Sequence, residues 1–150
     1  FHCFPNIHGK VLVNDISSSF LSEPMNVSDY GMLFGGVQKN LAPAGLAITI
    51  MHKDLISDTV LPNTPTMLQY KIHADKKSLY NTPPTYNIYM VGKVIKWIQS
   101  LGGLEKMKEL NERKAAVLYD YLDSVHCFMP GKYRQQIVHE CGFPYKVGCG

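Results

Sequence analysis

The chain has no C-x-x-C pair, no uninterrupted run of about 20 apolar residues and no block of like charge. Each absence narrows the function. Its four cysteines, Cys3, Cys127, Cys141 and Cys149, are scattered. His126 beside Cys127 and His139 near Cys141 lack the regular spacing that holds zinc, so no metal site is expected. Free thiols in a reducing cytosol are the simpler reading. Without a long apolar run or a signal peptide, no membrane partner is expected. Lys and Arg number 15 against 12 Asp and Glu, a net charge of +3. That excess is too small and too dispersed for a nucleic-acid footprint. The densest basic stretch, Lys106 to Lys114, is interleaved with Glu105, Glu109 and Glu112 and reads as a solvated helix face. Internal repeats and low-complexity tracts are absent too. The chain opens on Phe1 rather than Met, and it reads as an internal piece of something longer.

What is present is an α/β pattern. Apolar residues make up 45% and charged residues 18%, enough for a packed core over 150 residues. Lys10 to Asn14 is a β-branched run expected to be a buried parallel strand, which puts Asp15 at its carboxyl end. Asn26 to Tyr30 suggests a helical turn capped by Asn26 or Ser28. Met32 to Gly35 and Gly45 to Met51 read as two further strands. From Val60 to Thr85 the chain is punctuated by Pro62, Pro65, Pro83 and Pro84 and shows little periodicity, so an ordered functional or interfacial loop is expected. Thr85 to Ser100 reads as a helix with Ile88, Val91, Ile95 and Ile98 on its apolar face. Thr85 is its expected cap, and Gly102-Gly103 its stop. Leu104 to Val125 reads as a second helix, with Leu104, Met107, Leu110, Leu118, Tyr121, Leu122 and Val125 on its apolar side. Short strands are expected at Ile137-Val138 and Phe143 to Val147.

The stretch Gly35-Gly36-Val37-Gln38-Lys39-Asn40 carries the chemistry. It is a small-residue turn that delivers a lysine between two apolar runs. A lysine buried there loses hydration, which favours the neutral, nucleophilic amine. Such an amine condenses with an aldehyde and later serves as a proton-transfer base. Asp15 precedes Lys39 by 24 residues, room for a strand end, a loop and a return strand, so the two can reach one ligand from neighbouring strands. Carboxyl ends of strands are where open α/β sheets hold ligands. Ser17-Ser18-Ser19 reads only as a loop. Downstream, Asn81-Thr82 sits just before Pro83-Pro84, an amide and a hydroxyl on a stiffened loop suited to a phosphate. Gln38 offers a further donor.

Three segments, Val11 to Ser18 (Val-Leu-Val-Asn-Asp-Ile-Ser-Ser), Tyr30 to Gly45 and Ser78 to Tyr89 (Ser-Leu-Tyr-Asn-Thr-Pro-Pro-Thr-Tyr-Asn-Ile-Tyr), resemble the phosphoserine aminotransferase family in order and spacing. This is a class V, fold-type I group of pyridoxal-phosphate enzymes. The resemblance runs from about Gly9 to Asp123. It implies a homodimer in which residues 1–100 are the C-terminal half of a mainly parallel cofactor-binding large domain. Residues 101–150 would then begin a small α+β C-terminal domain. It implies amino transfer between L-glutamate and 3-phosphohydroxypyruvate, giving O-phospho-L-serine and 2-oxoglutarate in serine biosynthesis, in the cytoplasm or an organelle. Carried onto this chain, Lys39 is the catalytic lysine that bonds the pyridoxal 5'-phosphate, Asp15 the partner of its pyridine nitrogen and Gln38 a phosphate ligand. Asn81 and Thr82 become phosphate ligands lent to the other subunit's cofactor.

The family's glycine-containing phosphate loop, cofactor-stacking aromatic and substrate-carboxylate arginine have no counterpart here. Its downstream His-Arg element is missing as well. Beyond Asp123 the resemblance thins, and the region of Gln135-Gln136 and Cys141 departs from it. The chain is therefore expected to hold the lysine half of a site. The alternative is a non-catalytic, truncated or diverged product that folds partially or pairs with another subunit. Related lyases and desulfurases share the cofactor, but none of the four cysteines sits in a desulfurase context.

Overall fold

The computed structural model describes residues 7–124. Cys3, Cys127, Cys141, Cys149 and the expected strands after Pro130 lie outside them. Strand β1 (Val13–Asp15) pairs in parallel with β2 (Met32–Gly36), and β2 pairs antiparallel with β3 (Ala47–Met51), in the order β1-β2-β3. Asp15 lies opposite Phe34, and the pairing runs one residue further through the Ile16 N–H to the Phe34 carbonyl at 2.8 Å. All three expected strands are therefore present, β1 shifted toward Asp15. The expected burial of β1 is not found. Val11 and Val13 are each about half exposed, 53% and 51%, because β1 has one neighbour among the described residues. The sheet described is mixed, since the chain turns straight back after β2.

Apolar side chains of the connections fold inward to build the core. Ile16, Phe20, Tyr30, Leu33, Val37, Leu41 and Val91 form one buried cluster, with Leu46, Ile48 and Val94 against it. Buried Leu33 alternates with half-buried Met32 and Phe34, as successive side chains of a strand point to opposite faces. The 3-10 turn at Val27–Asp29 is capped as expected by Asn26, whose side-chain oxygen accepts from the Ser28 N–H at 3.3 Å.

The 60–85 segment holds more structure than its prolines suggest. A 3-10 turn at Thr66–Leu68 leads into a short helix α1 (Tyr70–Asp75), and Lys71 donates to Asp75 one turn on. Six residues are too few for a 3.6-residue repeat to declare itself in sequence.

Helix α2 (Thr85–Ser100) has the expected bounds, but its buried face is turned by one position. Asn87, Val91 and Ile98 are buried and Val94 is half-buried, whereas Ile88 and Ile95 are exposed. Thr85 is already inside the helix, and its hydroxyl donates to the Pro83 carbonyl at 3.3 Å instead of capping an amide. Leu101 ends α2, and Gly102 and Gly103 follow at φ of 107° and 87°, a left-handed path that glycine follows without a Cβ clash. Helix α3 (Leu104–Ser124) buries Met107 and Ala115 and leaves Tyr121 exposed. It is tied back to the β1–β2 crossover by Asn111, which donates to the Ser22 carbonyl at 2.9 Å, and by the Lys108–Glu23 ion pair at 3.6 Å.

Candidate active site

Because β1 and β2 run parallel, their carboxyl ends share one edge of the sheet, and both lead chemistry there. Asp15 is the last residue of β1. Lys39 follows three residues after Gly36, the last of β2. The residues between them decide how the two groups are held.

Asp15 is fixed by Ser17. Its Oδ1 accepts from the Ser17 backbone N–H at 2.9 Å and from the Ser17 hydroxyl at 2.6 Å, closing the chain into a tight side-chain turn. These two donors hold the Asp15 carboxyl below the usual aspartate range, and the positive charge of Lys39 lowers it further. The Ser17 hydroxyl also accepts from the Gly36 N–H at 3.0 Å and so joins the ends of both strands. Gly35 permits that approach, since a Cβ there would stand 2.8 Å from the Ser17 nitrogen.

The lysine turn is an apolar staple with a polar crest. Val37 and Leu41 are buried, at 0% and 2% exposure, and the amides of Leu41 and Ala42 both donate to the Val37 carbonyl at 3.0 Å. Gln38, Lys39 and Asn40 are the exposed crest. The expectation of a desolvated lysine is thus corrected. The flanking apolar residues turn inward and leave Lys39 in solvent. Its ammonium donates to the Ser18 hydroxyl at 2.7 Å. The Asn40 amide donates to the Phe20 carbonyl, which locks the turn onto the β1–β2 crossover. Gln38 curls back over Gly36, where any side chain would collide with its amide.

Behind the turn, Asn87 of α2 donates through Nδ2 to the carbonyls of Pro43 and Ala44, at 2.7 and 2.9 Å. These bonds seat the chain leaving Lys39 against α2.

Asp15, Lys39 and Gln38 therefore belong to one edge. Asn81 and Thr82 belong to a separate segment that ends at α2. Both side chains are exposed, and the Asn81 amide faces the Met67 sulfur at 3.6 Å, not the Asp15–Lys39 edge. Ser17, Ser18 and Asn87 organise the site, and the sequence alone singles out none of the three. Two hydroxyls directly after Asp15 are a usable sign, and Asn87 stands at helical spacing from Val91, Val94 and Ile98, the buried side of α2.

The lysine turn at the carboxyl edge of two parallel strands sits in a chain whose residues 3–145 match the class-V aminotransferase family, and the chain belongs to that family. Among curated relatives, the phosphoserine aminotransferase of Laribacter hongkongensis is 50% identical over 133 residues, covering 89% of this chain and 36% of the relative. That of Legionella pneumophila (strain Philadelphia 1) is 44% identical over 143 residues, covering 94% and 40%. This chain thus spans a little over a third of the length of such relatives. Among solved structures, a pyridoxal-phosphate-bound phosphoserine aminotransferase from Trichomonas vaginalis superposes with a TM-score of 0.78 at 38% identity, covering 83% of this chain and 34% of that one. The phosphoserine aminotransferase of Bacillus circulans subsp. alkalophilus gives 0.76 at 41% identity, with the same coverage.

Proposed function

We propose that this chain is the lysine-bearing part of a pyridoxal-phosphate-dependent phosphoserine aminotransferase. The reaction is reversible amino transfer between L-glutamate and 3-phosphohydroxypyruvate, giving O-phospho-L-serine and 2-oxoglutarate. One observation carries the reading: an amine and an ionised carboxylate stand at the same sheet edge, each held by one of two consecutive serines.

That donor set suits the cofactor. When bound, pyridoxal phosphate supplies an aldehyde that takes the amine and a ring that accepts electron density from the substrate. Asp15, an exposed carboxylate whose pKa the Ser17 donors and the Lys39 charge lower further, is matched to a protonated pyridine nitrogen. Lys39 would bond the cofactor and, once released, carry the proton at the substrate α-carbon. Its exposure leaves the amine reachable, and Ser18 is within hydrogen-bond distance to receive it. Gln38 on the same crest would bind the phosphate. Asn81 and Thr82, exposed and with the Asn81 amide on the Met67 sulfur, would serve the cofactor of a second subunit in a homodimer. On this reading, residues 1–100 belong to the large domain, 101–150 begin the small one, and the enzyme works in the cytoplasm or an organelle.

The test is turnover in the full-length enzyme carrying this sequence, with glutamate as donor and 3-phosphohydroxypyruvate as acceptor. Lys39→Ala is expected to abolish it. Retained turnover, or a preference for an unphosphorylated acceptor, contradicts the reading.

A further inference from the structure

Both donors that reach the Asp15 carboxylate come from one residue and converge on one oxygen. The Ser17 N–H and the Ser17 hydroxyl bind Oδ1, at 2.9 and 2.6 Å. Oδ2 accepts from no donor among the described residues, and the Asp15 side chain is exposed. The direction of the hydroxyl bond is set by the far strand. The Gly36 N–H can only donate, and it donates to the Ser17 oxygen at 3.0 Å. The single hydroxyl proton is thereby directed to Asp15. A hydrogen bond to an ionised acceptor is among the stronger kinds, so two of them on one oxygen lock the rotation of the carboxylate. Gly36 stands three residues before Lys39, so the Asp15–Ser17–Gly36 chain registers the carboxylate against the strand that delivers the amine.

We propose that Ser17 is a positioning residue that commits Asp15 Oδ1 to the protein and presents Oδ2 to the protonated ring nitrogen of the cofactor. This rests on the aminotransferase reading and adds a residue to it. Ser17 itself touches neither cofactor nor substrate. Its hydroxyl keeps the carboxylate aimed and tied to β2, as second partners of a binding group commonly do.

The experiment uses the full-length holoenzyme loaded with cofactor labelled at the ring nitrogen with nitrogen-15. NMR follows the protonation of that nitrogen against pH in the parent enzyme, Ser17→Ala, Ser17→Thr and Asp15→Asn. Ser17→Ala is expected to lower the protonation midpoint by about one pH unit, a tenfold change in the equilibrium. Ser17→Thr, which keeps the hydroxyl, restores it, and Asp15→Asn lowers it further. A midpoint in Ser17→Ala equal to the parent's overturns the role of Ser17, whatever its activity. An unchanged midpoint in Asp15→Asn overturns the role of Asp15 and that of Ser17 with it, whereas no adduct at Lys39 in the parent enzyme overturns the aminotransferase reading itself. Should Ser17→Ala fail to fold, the crystal structure of the unmodified holoenzyme decides. Oδ1 on the Ser17 hydroxyl with Oδ2 on the ring nitrogen supports the proposal. Oδ1 on the ring, or a Ser17 hydroxyl turned from Asp15, overturns it.

Discussion

Lys39 and Ser18, 21 residues apart in the chain, meet in a 2.7 Å hydrogen bond from the lysine ammonium to the serine hydroxyl. The bond crosses from the crest of the β2–β3 turn to the β1–β2 crossover. It gives the amine a resting place at the edge of the sheet without burying it. In the full-length enzyme, Ser18→Ala is expected to slow cofactor loading several-fold. Both groups are exposed, so stability should stay within about 0.5 kcal/mol of the parent. Stopped-flow absorbance on mixing apoenzyme with pyridoxal phosphate, beside a melting curve, checks both. Unchanged loading would remove Ser18 from the account.

Asn87 satisfies two carbonyls that the lysine turn leaves behind it, those of Pro43 and Ala44. Asn87 is buried but Pro43 and Ala44 are exposed, so Asn87→Leu removes hydrogen bonds whose carbonyls water can reach, at an expected cost of about 0.5–1.5 kcal/mol. Denaturant unfolding should show that drop. Activity should fall too, since the turn carrying Lys39 loses its seat on α2. A change below about 0.5 kcal/mol would mean that water replaces the amide.

Two glycines predict opposite outcomes. A Cβ at Gly35 would stand 2.8 Å from the Ser17 nitrogen, so Gly35→Ala must part the two strand ends. The expected cost is about 1–3 kcal/mol, with weakened cofactor binding. Gly92 lies inside α2 with nothing within 4 Å of a Cβ. Gly92→Ala is therefore expected to stabilise by about 0.5–1 kcal/mol through helix propensity. Melting temperatures of the two variants should move to opposite sides of the parent.

The Asp15 carboxyl is held low by the Ser17 hydroxyl and amide, with help from Lys39. A folded-state pKa below the unfolded one contributes stability above the unfolded value, and that contribution is lost as pH falls through the folded value. The gap in melting temperature between the parent and Asp15→Asn should therefore narrow from about pH 6 to about pH 3. Asp15 is exposed, so the gap is small and salt-sensitive. A gap that stays constant with pH would mean that ionisation of Asp15 does not couple to folding.

Much of this arrangement is legible in the sequence. The β-branched run before Asp15 and the apolar runs on either side of the lysine turn locate all three strands. The Thr85 and Gly102-Gly103 boundaries frame α2. What misled was the inference from apolar neighbours to a buried lysine. Val37 and Leu41 spend that apolarity inward, and in a tight turn this pushes Gln38, Lys39 and Asn40 out. The buried face of α2 departs from the apolar pattern for a related reason. A polar residue, Asn87, holds a buried position because two backbone carbonyls need a donor, and Ile88 is displaced outward. Ser17 was illegible because a serine beside an aspartate in a loop says nothing about a strand 19 residues away.

The most direct measurement is borohydride reduction of the full-length enzyme with bound pyridoxal phosphate, followed by peptide mapping. One modified lysine is expected, Lys39, with visible absorbance lost on reduction and no adduct in Lys39→Ala. Modification of a different lysine, or of many surface lysines in proportion to exposure, would contradict this assignment.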